Sequence, residues 1–362
     1  MKKNILYLVF IGFILGQFLI SCKRQELAEP AIKKIISLQI TGTTLPGDTL
    51  EFVKNGKVLL QTGFASFALS TKVSLEGESA EVQIRRKRDQ LVIARKTIIA
   101  EAYNQVLTCY YDGQEVYDTL VDLEIKGYSG PDELEFMLDG VLVGSGTGTT
   151  FPSLKVTINK EKKRQVQIRK KGDPKILLDY EVLGNVALQK LVFYYDGVQL
   201  LDKIELGAPQ NPANMLFSAS FKSSVTVFSG PVDLVFCKGS IYENFENLPV
   251  TSHRIELNND GSFSKNFELP ALTAQDIADK LHYGIRLVKR GTLIDIPYDL
   301  TNELRPIYPR SGVHTGEITV SPGTAMLMVF KDSKSVYATG PASRRGTLFS
   351  LLGVDISAYF KP

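Results

Sequence analysis

Apolar and polar side chains take turns along much of this chain. They do so in Val82-Gln83-Ile84-Arg85, and a little later Leu107, Cys109 and Tyr111 fall on one side. Leu191, Phe193 and Tyr195 repeat that arrangement further on. A period of two puts alternate side chains on opposite faces of an extended strand, so these runs predict strands buried on one face. Gly, Pro, Asn and Asp separate the runs, as antiparallel strands joined by turns require. One stretch departs from the pattern. Ala271 to Gly284 reads as a short helix, with Thr273 as its cap, Asp276 three residues on and Gly284 past its end.

The alternation is duplicated. "DTLEF" from Asp48 returns as "DELEF" from Asp132, "VQIRRKRD" from Val82 as "VQIRKKGD" from Val166, and "YYDG" from Tyr110 at Tyr194. Each block is displaced by 84 positions (48 to 132, 82 to 166, 110 to 194), with no net gap between blocks. That is the signature of a repeated domain. A third, diverged unit is predicted where "YSGPDELEF" from Tyr128 is echoed by "FSGPVDLVF" from Phe228, and "RKKGD" from Arg169 by "VKRGT" from Val288.

Half-buried strands in units of this size resemble immunoglobulin-like sandwiches of roughly 100 residues, in which two packed sheets bury the apolar faces. The expected fold class is all-β: tandem immunoglobulin-like β-sandwiches, two closely related and a third diverged. The expected boundaries are 35–120, 121–204 and 205–300, followed by a β-rich C-terminal extension over 301–362. Within the extension, "AMLMVF" and "TLFSLLGVDISAYF" either close the third sandwich or form a small module of their own.

The repeated "YYDG" invites two readings. Asp112-Gly113 and Asp196-Gly197 end alternating runs, and Asp-Gly is a leading signal for a type I′ hairpin turn. The turn would leave Tyr110 and Tyr194 facing outward, opposite the core-directed Tyr111 and Tyr195. The second reading is a ligand site, with Tyr110 and Tyr194 as a platform for sugar. A calcium loop is poorly served here, because calcium takes about 6–8 oxygens and the stretch has few carboxylates.

The first residues, "MKKNILYLVFIGFILGQFLISC", join Lys2 and Lys3 to an apolar run from Ile5 to Ile20. That is the layout of a secretory signal, here residues 1–21, which takes no part in the fold. Leu19-Ile20-Ser21-Cys22 resembles the lipobox of bacterial lipoproteins. The resemblance implies a lipid-modified Cys22 as first mature residue, a tether over 22–34, and anchoring to the membrane by acyl chains without a spanning helix. Lys23 after the cysteine implies the outer membrane. "CKRQELAEP" is similar to the charged tag of surface lipoproteins of Bacteroidota-type bacteria, which implies the cell surface rather than the periplasmic face.

Composition narrows the partners. Without Lys2 and Lys3 the 42 basic side chains become 40, against 39 acidic ones, so the chain has no global footprint for nucleic acid. Of the three cysteines, Cys109 and Cys237 remain beside Cys22, in separate units and in apolar runs, as buried thiols. His253, His282 and His314 are scattered, with no zinc-ligand spacing and no Ser-His-Asp arrangement. No cofactor or metal site is expected. Two basic clusters, Arg85, Arg86, Lys87 and Arg88, then Lys162, Lys163, Arg164, Arg169, Lys170 and Lys171, suggest either a solvated strand face and hairpin tip or contact with an anionic lipid or glycan. The candidate contact residues are Tyr110, Tyr194, Arg85, Arg86, Arg88, Lys170 and Lys171.

These readings converge on a non-enzymatic envelope lipoprotein with a binding or spacer role. Its partner would be a glycan or another envelope protein, and its plan resembles that of accessory lipoproteins of glycan uptake. Two alternatives stay open: a fimbrial or adhesin-like subunit, and an enzyme with its site in the C-terminal third.

Overall fold

The computed structural model describes residues 33–223, 229–240, 250–294, 296, 317–318, 320–337 and 346–360. Cys22, the signal segment, His314 and most of the tether lie outside the described residues. No helix among the described residues is long and apolar enough to cross a membrane.

The fold is all-β, and the same eight-strand plan recurs three times. In the first sandwich β1 (Lys34–Thr43) lies between β4 (Ser66–Leu75), antiparallel, and β7 (Asn104–Tyr111), parallel, with β8 (Val116–Tyr117) at the edge. The facing sheet runs β3 (Lys57–Gln61), β2 (Leu50–Lys54), β5 (Ser79–Arg86), β6 (Val92–Ile99). The second sandwich repeats this as β12 (Leu154–Ile158), β9 (Thr119–Tyr128), β15 (Leu188–Tyr195), β16 (Leu200–Leu201) against β11 (Val141–Gly146), β10 (Leu134–Leu138), β13 (Lys163–Lys170), β14 (Ile176–Leu183). The third repeats it again, as β20 (Phe267–Leu269), β17 (Met215–Lys222), β23 (Ala325–Tyr337), β24 (Gly346–Asp355) against β19 (Val250–Leu257), β18 (Val232–Ser240), β21 (Leu281–Lys289), β22 (Glu317–Ile318). The stretch set apart by sequence as a C-terminal extension therefore supplies strands to the third sandwich: Leu216–Lys222 pairs in parallel with Ala325–Lys331.

The cores follow the period of two. Ile36, Leu38, Ile40, Phe52, Ile84 and Cys109 fill the first, and Val121, Leu123, Ile125, Phe136, Ile168 and Phe193 hold the corresponding places in the second. Cys109 is small where Phe193 is large, and both face a glycine on the neighbouring strand. Gly42 lies opposite Cys109 and Gly127 opposite Phe193. A Cβ on Gly127 would fall 2.6 Å from the Phe193 ring, and one on Gly42 would fall 1.8 Å from the Cys109 carbonyl oxygen. Neither position has room for a side chain. These pairs also show that β9 follows β1 by 85 positions rather than 84; the first copy carries one more residue between Thr43 and Leu50.

Three turns depart from the sequence reading. Asp112-Gly113 and Asp196-Gly197 are hairpin tips, but only the glycines take positive φ, 103° and 95°. Each aspartate instead accepts from the backbone N–H groups two and three residues on, Asp112 from Gln114 and Glu115, Asp196 from Val198 and Gln199. They head four-residue loops held by the side chain. The two-residue turns with positive φ at both positions are Asn55-Gly56 (48°, 74°) and Asp139-Gly140 (48°, 83°). The short helix spans Ala274–Ala278 with a capping box between Thr273 and Asp276, and Lys238 pairs with Asp276 at 2.7 Å. It ends well before Gly284, which sits inside β21 opposite Cys237, while Lys280 turns the chain with a φ of 55°.

The chain forms two compact units, residues 1–119 and 120–362. The first holds one sandwich. The second unites the other two.

Candidate binding cleft between the second and third sandwiches

The joint inside the second unit is built on Tyr194. As the alternation predicts, it faces away from the core that takes Tyr195. That outer face is not solvent, however, and Tyr194 is only 2% exposed. Its neighbour across the parallel pair is Tyr128, and the two rings stack 5.9 Å apart at 15°. Phe263 of the third sandwich approaches Tyr194 to 4.7 Å, and Leu327, Val329 and Ile356 complete the cluster. The Tyr194 hydroxyl donates to the Gly261 carbonyl at 2.7 Å and lies 3.1 Å from Ser220 Oγ. Burial pushes its pKa far above the usual phenol range, with the Ser220 contact opposing. Its counterpart Tyr110 is half-buried.

The turn beyond Tyr194 seals the joint. Lys222 Nζ donates to the Asp196 carbonyl at 2.8 Å. Gly261, at φ 94°, passes so close that a Cβ there would stand 3.1 Å from Asp196 Cβ. The repeated "YYDG" is thus a hairpin tip in both copies, and in the second copy it is also a docking element.

Beside this joint opens a cleft of about 490 Å³, lined by Tyr128, Asp132, Tyr195, Asp196, Lys222 and Asp332 among others. Asp132 is paired with Lys170 at 2.7 Å, and this bond raises the lysine's pKa. Ser223 donates to the Asp332 carboxylate. Burial, with Asp132 adding to it, raises the pKa of Tyr195, and burial alone raises that of Tyr128.

The basic candidate contact residues pair with carboxylates inside their own sandwiches. Arg85 bonds Glu51 at 2.8 Å, Arg86 bonds Asp89, Arg88 lies 3.3 Å from Asp48, and Lys171 lies 2.7 Å from Glu133. Each has a carboxylate, and only Lys170 stands beside a cleft residue. His253 packs against Phe267 and Tyr283, away from the cleft lining. Among the described residues no three His, Cys, Asp or Glu side chains gather to hold a metal ion.

Sequence reasoning missed Ser220, Lys222, Gly261, Phe263 and Asp332. No local signal marked the joint: Tyr110-Tyr111 repeats Tyr194-Tyr195, yet Tyr110 is half-buried where Tyr194 is buried.

No protein-family model matches the chain, and no curated protein matches it. Among solved structures, streptococcal family 41 carbohydrate-binding modules from virulence factors, described as recognising alpha-glucan, align at 11% identity and a TM-score of 0.17. That alignment covers 46% of this chain and 97% of theirs. A family 26 carbohydrate-binding module from Eubacterium rectale, in complex with maltoheptaose, aligns at 12% identity and a TM-score of 0.16, over 62% of this chain and 99% of that one. The major pilin of Corynebacterium diphtheriae aligns at 7% identity and a TM-score of 0.14, over 71% and 91%. Scores this low carry no argument about ligand or partner.

Proposed function

We propose that this chain is a non-enzymatic binding protein of the bacterial envelope. In this reading acyl chains on Cys22 hold it to the outer membrane and its sandwiches face the cell surface. Its partner is a glycan or another envelope protein, in a role accessory to glycan uptake. The observation that supports binding is the cleft beside Tyr194, where two sandwiches are locked together yet leave an open, partly aromatic space of the size used for small ligands. The polar groups of that cleft are engaged in holding the fold. Asp132 is matched by Lys170, and Asp196 by the N–H groups of its own turn. Such groups suit fixed hydrogen bonding better than proton transfer.

The anchoring part is tested by fractionating cells that make the full chain or its Cys22→Ala variant, and by treating intact cells with a non-permeant protease. The expected result is wild-type chain in the membrane fraction and cleaved on intact cells, with Cys22→Ala released. Wild-type chain that is soluble, or protected until the outer membrane is opened, overturns it.

A further inference from the structure

The two closely related sandwiches use one tyrosine differently. Tyr111 and Tyr195 are equivalent by repeat position. The Tyr111 hydroxyl is satisfied at home: it donates to the Gly113 carbonyl at 2.6 Å and accepts from Arg86 Nη1 at 3.2 Å. In the second sandwich Lys170 stands where Arg86 stood and turns to Asp132 instead. Among the described residues the Tyr195 hydroxyl has no hydrogen-bond partner, although Tyr195 is 4% exposed and lines the cleft. Tyr128, 5% exposed and in the same lining, also has no partner for its hydroxyl among the described residues. Neither hydroxyl is among the buried polar atoms left without a partner, so both reach the open space of the cleft, where each can donate to and accept from a molecule that enters.

We propose that this cleft binds a neutral, polyhydroxylated ligand, an oligosaccharide, whose hydroxyls complete the hydrogen bonding of Tyr128 and Tyr195. The assignment rests on the binding role proposed above and names its ligand class. Charge selects the class. Asp132, Asp196 and Asp332 face the space together with Lys222 and Lys331, and Lys170 already neutralises Asp132. The balance leaves no net field for an anion or a cation, whereas fixed donors and acceptors beside aromatic surface match sugar hydroxyls and ring faces. Like any phenol both are neutral near pH 7, and burial shifts them further that way, so each can donate and accept.

The test is calorimetric titration of the full chain in detergent. The probes are uncharged oligosaccharides built from glucose, mannose, galactose or xylose, a uronic-acid oligosaccharide, and an unstructured peptide. Saturable binding of a neutral oligosaccharide is expected, weakened about tenfold or more by Tyr195→Phe and by Tyr128→Phe and left unchanged by Tyr111→Phe. Circular dichroism of each variant establishes that it is folded. Neutral-sugar binding indifferent to both cleft variants overturns the site. If only the charged sugar or the peptide binds, and Tyr195→Phe abolishes it, the ligand class falls while the binding role stands. If no probe binds, the ligand class falls. The binding role falls with it if the chain also captures no envelope protein in a way that Tyr195→Phe or Tyr128→Phe alters.

Discussion

Arg85 Nε donates to Glu51 Oε2 at 2.8 Å across β5 and β2, and the same contact recurs between Arg169 and Glu135 at 2.8 Å in the next sandwich. The Glu51 side chain is 8% exposed and that of Arg85 24%. A pair this sheltered differs from a surface ion pair because removing one partner strands the other charge. Arg85→Ala is expected to lower the stability of the first unit by about 1–3 kcal/mol. Arg85→Met combined with Glu51→Leu should recover most of that loss. Urea unfolding of the single and double variants reads the coupling directly. Additive effects would show that the pair contributes nothing beyond its separate parts.

The joint offers a sharper comparison between copies. Tyr194→Phe removes the hydrogen bond to the Gly261 carbonyl and the contact with Ser220 while keeping the ring. A loss of about 1–2 kcal/mol in the 120–362 unit is expected. Tyr110→Phe should cost less, because its parent is half-buried. Two units need not unfold as one, so scanning calorimetry with both transitions resolved is the measurement. Equal costs at the two positions would deny Tyr194 its special place.

The same phenol sets a pH dependence. Its folded pKa is raised by burial, so the folded unit resists ionisation that the unfolded chain accepts above about pH 10. The resulting stability is whole below that pH and is lost as pH rises toward the folded value. Stability of the 120–362 unit should therefore fall on the alkaline side of about pH 10, and fall less in Tyr194→Phe. Tyrosinate absorbance followed against unfolding tests this. Ionisation of every tyrosine near pH 10 in the folded chain would refute it.

The two sandwich thiols should be silent. Burial pushes Cys109 up to about 12 and Cys237 up to about 11. Since the thiolate is the reactive form, a disulfide exchange reagent at pH 8 should find no thiol in folded Cys22→Ala chain and two after unfolding. Rapid labelling of either in the folded chain would place it at an accessible surface.

Much of the architecture was legible because local patterns dictate it. The period of two placed Val82, Ile84, Cys109 and Phe193 in the cores, and the repeated blocks announced a repeated domain. The Thr273–Asp276 capping box was readable for the same reason. What stayed hidden depends on distant partners. Tyr194 looks like a solvent-facing residue until Gly261, 67 positions later, comes to meet it. The third sandwich was harder still, because its parallel strand comes from Ala325 onward, more than 100 positions after its neighbour Leu216. The turn type at Asp112 and Asp196 was misread for a local reason. An aspartate side chain can cap backbone N–H groups without taking positive φ itself, and composition does not separate that loop from a type I′ turn.

In the first two sandwiches the first strand and the last long one lie side by side and parallel, β1 with β7 and β9 with β15; in the third, β17 and β23 pair the same way but the ten-residue β24 then returns antiparallel. In those first two the chain therefore enters at one pole and leaves its last long strand at the other. Tension along the chain loads the hydrogen bonds between those two strands in shear, many at once, rather than peeling them one at a time. A domain wired this way resists being pulled open by its ends.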